Sequence, residues 1–372
     1  MHRLTTIVVA AAVAAVVLAL AAPAMASGGG RGDSAVYTLT NSASGNAVAV
    51  FDRARDGSLT PDGTVPTGGS GTGSGLGSQG ALVLDHNRLF AVNAGSNTVS
   101  LLQVNRRGKV RLADTAPSGG VRPISLTVRG KLLYVLNAGS ASSPASIRGF
   151  LALWGKLVPL PGSTRPLSTA APDPAQVEFS PNGRHLVVTE KATNMIVTYQ
   201  VGRFGYANGP NAQPSAGQTP FGFAFDRRGR LIVSEAFGGA PDASALSSYS
   251  LGGNGTITPI TASAATTETA ACWVVVTKDG RYTYTTNTGS NSISGYRIGN
   301  DGGLTLLDAD GKTADTGATP IDMALAAGSR LLYSLNSGVP EIQGFVVNGD
   351  GSLDSLGAVG GLPPGTVGLA AR

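Results

Sequence analysis

An all-β fold, specifically a seven-bladed propeller, is what the sequence predicts, and three observations carry it. Gly and Pro together make 74 of 372 residues, about a fifth, where ordinary usage is roughly 12%. Only 13% of residues are charged while 42% are hydrophobic, a balance that excludes a disordered chain and suits many short strands joined by many turns. A β-rich segment ending in Asn or Glu then recurs seven times. The glycines follow no period of three, which excludes collagen, and long Ala/Glu/Lys/Leu stretches are absent, which excludes helical bundles and coiled coils.

The seven segments are Val36-Tyr37-Thr38-Leu39-Thr40-Asn41, Leu89-Phe90-Ala91-Val92-Asn93, Leu132-Leu133-Tyr134-Val135-Leu136-Asn137, Leu186-Val187-Val188-Thr189-Glu190, Leu231-Ile232-Val233-Ser234-Glu235, Tyr282-Thr283-Tyr284-Thr285-Thr286-Asn287 and Leu331-Leu332-Tyr333-Ser334-Leu335-Asn336. Their last residues are spaced by 52, 44, 53, 45, 52 and 49 positions, the length of a four-stranded blade. After each comes a short loop and a third strand, such as Asn97-Thr98-Val99-Ser100-Leu101 or Asn291-Ser292-Ile293-Ser294-Gly295-Tyr296. A glycine hairpin follows (Asp56-Gly57, Arg107-Gly108, Asn254-Gly255, Asp301-Gly302, Asp350-Gly351), because such turns need positive φ. A weaker outer strand leads on, and the innermost strand opens near Pro123, Pro174, Pro220 or Pro320. The first copy begins at its second strand. Its missing innermost strand is expected from residues 363–370, so that both chain ends build one blade and the ring closes. The tract 68–80, rich in Gly and Ser, reads as a loose insertion.

The N-terminus carries a basic Met1-His2-Arg3, an apolar run over residues 4–22 and Pro23-Ala24-Met25-Ala26. That pattern predicts a signal peptide over 1–26 with cleavage after Ala26; the alternative is a retained anchor. A short N-terminus over 27–35, which holds Arg31-Gly32-Asp33, leads into one propeller over 36–372. The mature protein is expected to be secreted or associated with the cell envelope, to be a monomer, and to have no membrane span. Cys272 is the only cysteine, which rules out an internal disulfide. The net charge of +5 does not by itself identify a partner.

Two faces are candidates for function. The turns after the first and third strands share one face and collect Arg53, Arg55, Arg106, Arg107, Lys109, Arg129, Lys131, Arg184, Arg227, Arg228 and Lys278. An anionic polymer is a possible partner there. No aromatic residues interleave as stacking platforms, so nucleic acid is not expected. The opposite face holds the ring of Asn and Glu, which would take an organic acid or a glycan. Glu190 and Glu235 are the candidate catalytic carboxylates, beside Arg122 and Lys191 as stabilisers of a developing oxyanion. Asn137 and Asn287 complete the binding set. A second ring on the innermost strands (Ala81, Ser125, Gln176, Gly222, Trp273, Asp322, Thr366) adds Gln176 and Asp322.

Other motifs yield nothing. Gly75-Leu76-Gly77-Ser78-Gln79-Gly80 matches G-x-G-x-x-G but precedes a strand, where a dinucleotide fingerprint follows one. A G-x-S-x-G elbow is absent. His86 and His185 are too sparse for a metal site, and Asp308-Ala309-Asp310-Gly311 is half a calcium loop that a hairpin explains. No metal or cofactor is expected.

The wording of the repeat, as in Leu89-Phe90-Ala91-Val92-Asn93-Ala94-Gly95-Ser96-Asn97-Thr98-Val99, resembles YVTN-type propeller repeats. With Pro174-Ala175-Gln176-Val177-Glu178-Phe179-Ser180-Pro181-Asn182-Gly183-Arg184, the chain resembles the lactonase family of seven-bladed propellers over about residues 36–371. That family includes 6-phosphogluconolactonase-like proteins and carboxymuconate cyclases. The resemblance implies a lactone hydrolase in which a carboxylate activates water. The family pattern reads Gly-Pro-Arg-His before the apolar strand, and here Ala175 and Gln176 stand in the Arg and His places. Glu190 falls at the acidic position that follows. The alternative function is a non-catalytic extracellular binding or cell-surface scaffold.

Overall fold

The computed structural model describes residues 34–106 and 108–372. The expected signal segment, the Arg-Gly-Asp tripeptide and Arg107 lie outside the described residues. Seven antiparallel sheets follow one another along the chain. Blade 1 takes β1 (Ala35–Leu39), β2 (Ala47–Arg53) and β3 (Leu59–Pro66) from the N-terminal side, and its innermost strand is the C-terminal strand Val367–Ala371. Val36 lies opposite Ala371, Tyr37 opposite Ala370 and Thr38 opposite Leu369, so the ring closes through the two chain ends as the repeat phase requires. Blades 2 to 7 occupy residues 82–117, 123–166, 174–214, 220–265, 271–315 and 320–359. In blades 3 and 6 the outer strand is broken into two short pieces.

Large aromatics fill the seams between blades and bring polar tips with them. The Tyr134 hydroxyl donates to the Gly205 carbonyl, Tyr284 to Gly351 and Tyr333 to Gly57, at 2.7–2.8 Å. Each time a second-strand tyrosine holds the glycine hairpin of the following blade. The entry to each innermost strand is a repeated kink. Arg122, Asp173, Thr219, Ala270 and Thr319 all have φ between 48° and 60°, immediately before the strand begins. Three of these kinks are held from the preceding blade by an asparagine that itself adopts positive φ, a conformation Asn tolerates well. Asn97 accepts the N–H of Arg122, Asn194 that of Thr219 and Asn291 that of Thr319, at 2.7–2.8 Å.

Each innermost strand turns one edge toward the central channel, where no ladder partner exists. Side chains of the preceding blade take that role. The Ser125 and Thr127 hydroxyls accept the N–H groups of Val177 and Phe179 at 3.1 Å. The Gln176 amide pairs with both backbone groups of Phe223, accepting at 2.7 Å and donating at 2.9 Å. Asp322 accepts the N–H of Gly368 at 2.7 Å. Blade 5 carries Gly222 at the corresponding position and has no side chain to offer. Gln79 replaces it, accepting the Val274 N–H at 3.0 Å and donating to the Val274 carbonyl at 2.8 Å. A Cβ on residue 222 would sit 2.2 Å from the Gln79 amide oxygen, so the glycine and the glutamine require each other.

The tract 68–80 is therefore no loose insertion. Ser78 donates to the Ile124 carbonyl of blade 3 and accepts from the Trp273 indole of blade 6. Gln79 N–H reaches the Ala175 carbonyl of blade 4, and the Leu126 N–H of blade 3 reaches Gly80. Asn41 holds the upstream half through Thr72 and Ser74. The segment crosses the top of the channel and plugs it.

Replacing Gln79 or Gln176 by Ala leaves a buried backbone N–H and C=O unpaired. Each change is expected to lower unfolding free energy by about 1–3 kcal/mol, measured by urea denaturation. An unchanged midpoint in both variants would contradict these amide clamps.

Candidate functional site

Every member of the Asn/Glu ring is buried. Asn41, Asn93, Asn137, Glu190, Glu235, Asn287 and Asn336 are all 0–1% exposed. Glu190 accepts the N–H and hydroxyl of Ser168, in the linker from blade 3, and the hydroxyl of Thr193. Glu235 accepts from Ser215, Gly217, Ser247, Tyr249 and Ser263. A carboxylate collects more donors than an amide, which accounts for Glu at two positions where the other blades have Asn. Asn287 donates to Ser292 and Ser294, and Gly120 packs on the Asn137 amide so closely that a Cβ would lie 2.6 Å from it. Glu190 and Glu235 thus tie blades 4 and 5 to the linkers entering them, whereas Asn287 bonds within its own blade. None of Glu190, Glu235, Asn137 and Asn287 lines the cavities described next.

Just beneath the plug is a cavity of about 240 Å³, walled by plug residues 73–78 and by Trp273, Ile321, Asp322, Ser337, Gly365, Thr366 and Val367. Below it the channel widens to about 470 Å³ between the innermost strands, toward the basic face. Asp322 lines both. Its Oδ2 takes the Gly368 N–H, and burial pushes its carboxyl up to about 7. Glu178 lines the channel alone, receives the Gln176 amide at 2.9 Å and is pushed by burial to about 8. Glu178 escaped the sequence reading. The signal was present, because strand side chains alternate and residue 178 shares the channel-facing side with Gln176.

Lys191 and Arg122 are placed differently from one another. Lys191 is mostly buried, donates to the Gly77 carbonyl at 2.8 Å, pairs with Asp173 at 3.4 Å and lies 4.9 Å over the Phe221 ring. Burial lowers its ammonium pKa, opposed by Asp173. It fastens the plug. Arg122 is exposed and lines a separate depression of about 570 Å³ on the upper surface, with Asn97, Ser140 and Asp173. Gln176, at the position where the family pattern has His, is occupied as the clamp on Phe223.

The basic face also departs from expectation in one respect. Aromatics do stand on it: Trp154 and Phe204, at the third-to-fourth-strand hairpins of blades 3 and 4, are 95% and 71% exposed.

The sequence profile described as "Lactonase, 7-bladed beta-propeller" matches residues 156–236 and 242–363, more than half of the chain. The chain belongs to this lactonase family. No curated protein matches it. Among solved structures, a candidate 6-phosphogluconolactonase from Bacteroides uniformis is similar, with a TM-score of 0.72 and 17% identity over 90% of this chain and 99% of that one. A Lactobacillus plantarum protein superposes with a TM-score of 0.73 and 16% identity, covering 92% and 99%. The periplasmic gluconolactonase of Pseudomonas aeruginosa gives 0.66 and 17%, covering 89% and 98%. At these identities the likenesses establish the propeller, and the family carries its lactonase-like character.

The raised carboxyl of Glu178 has a consequence for stability. Its folded pKa lies above its ordinary value of 4.5, so its contribution favours the fold at acid pH and is lost as pH rises toward 8. Glu178→Gln is expected to melt level with wild type near pH 4 and above it by pH 8. The gain is roughly 2–4 °C per kcal/mol recovered, followed by calorimetry. A difference independent of pH would contradict the assignment.

Proposed function

We propose that this protein is an exported hydrolase of small uncharged lactones, with Asp322 as general base. The observation that carries the reading is the Asp322 carboxyl at the wall of the upper cavity. One oxygen is held by Gly368, no protein donor reaches the other among the described residues, and its pKa of about 7 suits proton transfer near neutrality. A lactone ring bound against Trp273 would present its carbonyl carbon to a water beside Asp322. As the water oxygen bonds to that carbon, its proton passes to Asp322. Residues 75–77 form part of the cavity wall, and the peptide N–H groups of this glycine-rich stretch would be the donors for the developing oxyanion. Collapse breaks the ring C–O bond, Asp322 returns the proton to the leaving alkoxide, and the product is a hydroxy acid. Its carboxylate is repelled by ionised Asp322, which favours release.

The cavity wall also argues for substrate class. It contains one acid and no Lys, Arg or His, so a phosphorylated lactone would meet no counter-charge. Export, supported by the N-terminal 26 residues, agrees with an unphosphorylated substrate. A second reading, a non-catalytic binding propeller, draws on Gln176 and Lys191 being engaged in structural bonds.

A panel of γ- and δ-lactones with the purified protein separates the two. Uncharged lactones are expected to turn over and 6-phosphogluconolactone is not. Asp322→Asn, which keeps an acceptor for Gly368, should lose about 10²–10⁴-fold in kcat, while Glu190→Gln and Glu235→Gln stay active. The wild-type kcat/KM should rise with pH to a plateau above about 7. Absence of turnover on every lactone, or an Asp322→Asn variant as active as wild type, defeats the hydrolase reading. Binding of a sugar acid without turnover then supports the second.

A further inference from the structure

Trp154 is placed where folding gains nothing from it. It occupies the first turn position of the tight Trp154-Gly155 hairpin with φ at 49°, a conformation that bulky residues avoid and that Asn or Gly would supply without strain. It is also 95% exposed, so no burial offsets that strain. Strain retained at an exposed tip points to function. On the next blade Phe204 stands 71% exposed at the equivalent hairpin, which the Tyr134 hydroxyl of blade 3 anchors through Gly205. Two large rings thus protrude on one face from neighbouring hairpins.

Their surroundings are cationic. Arg203 lies 4.7 Å over the Phe204 ring. Arg129 and Lys131 at one turn of blade 3, Arg184 of blade 4 and Arg106 of blade 2 are all exposed. The acids of this sector are already paired, Asp114 with Lys156 at 3.1 Å and Asp62 with Lys109 at 3.3 Å. The other five cations form no ion pair among the described residues.

We propose that this face is a peripheral docking surface for an anionic lipid bilayer, with Trp154 and Phe204 entering the headgroup region and the cations facing lipid phosphates. Aromatic rings with polar surroundings are suited to that boundary, and each cation near an anionic surface strengthens attachment roughly fivefold. A soluble polyanion would satisfy the cations and leave both rings in water. A second copy of this chain would bring like charges together.

Only two tryptophans are present, and Trp273 is 4% exposed, so Trp154 reports directly. Vesicles of phosphatidylcholine mixed with phosphatidylglycerol are expected to shift tryptophan emission to shorter wavelength and to carry the protein down on sedimentation. High salt or phosphatidylcholine alone should weaken both effects. Trp154→Asn with Phe204→Ser should raise the lipid concentration for half-binding about tenfold or more without lowering the melting temperature, since Asn suits the turn. Neither shift nor co-sedimentation with mixed vesicles would overturn the proposal. So would the same shift with dextran sulfate and no lipid, which indicates a polyanion partner, or on concentrating the protein alone, which indicates self-association.

Discussion

Seven sheets arranged around an axis each present one edge to the centre, and that edge has backbone donors and acceptors without a ladder partner. An unpaired backbone group away from water costs about as much as a lost hydrogen bond. The interior of this propeller is organised around that constraint. Hydroxyls on blade 3, the Gln176 amide and the carboxylate of Asp322 each satisfy the edge of the next blade, and Gln79 satisfies that of blade 6 from the linker. These edge bonds reinforce the ring that the terminal strands close, and the channel cannot be widened without breaking them.

The plug follows from this constraint. Blade 5 has glycine where its neighbours have a side chain, and the blade 1-to-2 linker fills the vacancy with Gln79. To reach that position the linker must cross the upper end of the channel, where Ser78, Gly77 and Gly80 are fastened to three different blades. The crossing reduces the upper chamber to about 240 Å³ and makes part of its wall from peptide groups. A site built this way is small, uncharged apart from Asp322, and closed to ligands that need a cationic grip. Structural use of Gln176 and Lys191 and a chamber wall without cationic side chains are two results of one arrangement.

Much of the scaffold was legible in the sequence, because its elements carry local signals. The repeated Asn/Glu endings, the prolines 123, 174, 220 and 320 and the odd phase of the first copy gave seven blades and closure by the C-terminal strand. The site was less legible, because burial and pairing across blades leave no local signal. Asn and Glu at strand ends look alike whether they face a funnel or clamp a linker. Gln79 meets Val274 across 195 positions of sequence, and nothing near residue 79 announces that partner. The repeat phase marks Asp322 through its place in the second ring, but only strand alternation marks Glu178, two residues beyond Gln176 on the same side, although both line the channel. Trp154 carries no local sequence signal of its turn conformation and exposure, which only the fold shows.

Native-state hydrogen exchange tests the central constraint most directly. The amide of Val274 lies on a sheet edge and has only the Gln79 side chain for a partner. In the intact protein it should exchange slowly, close to the rate set by global unfolding. In Gln79→Ala it should become one of the fast amides of its blade while Val233 and Tyr284, inside their sheets, stay protected. A Val274 amide that exchanges freely in wild type, or that is unchanged by the substitution, would contradict the account.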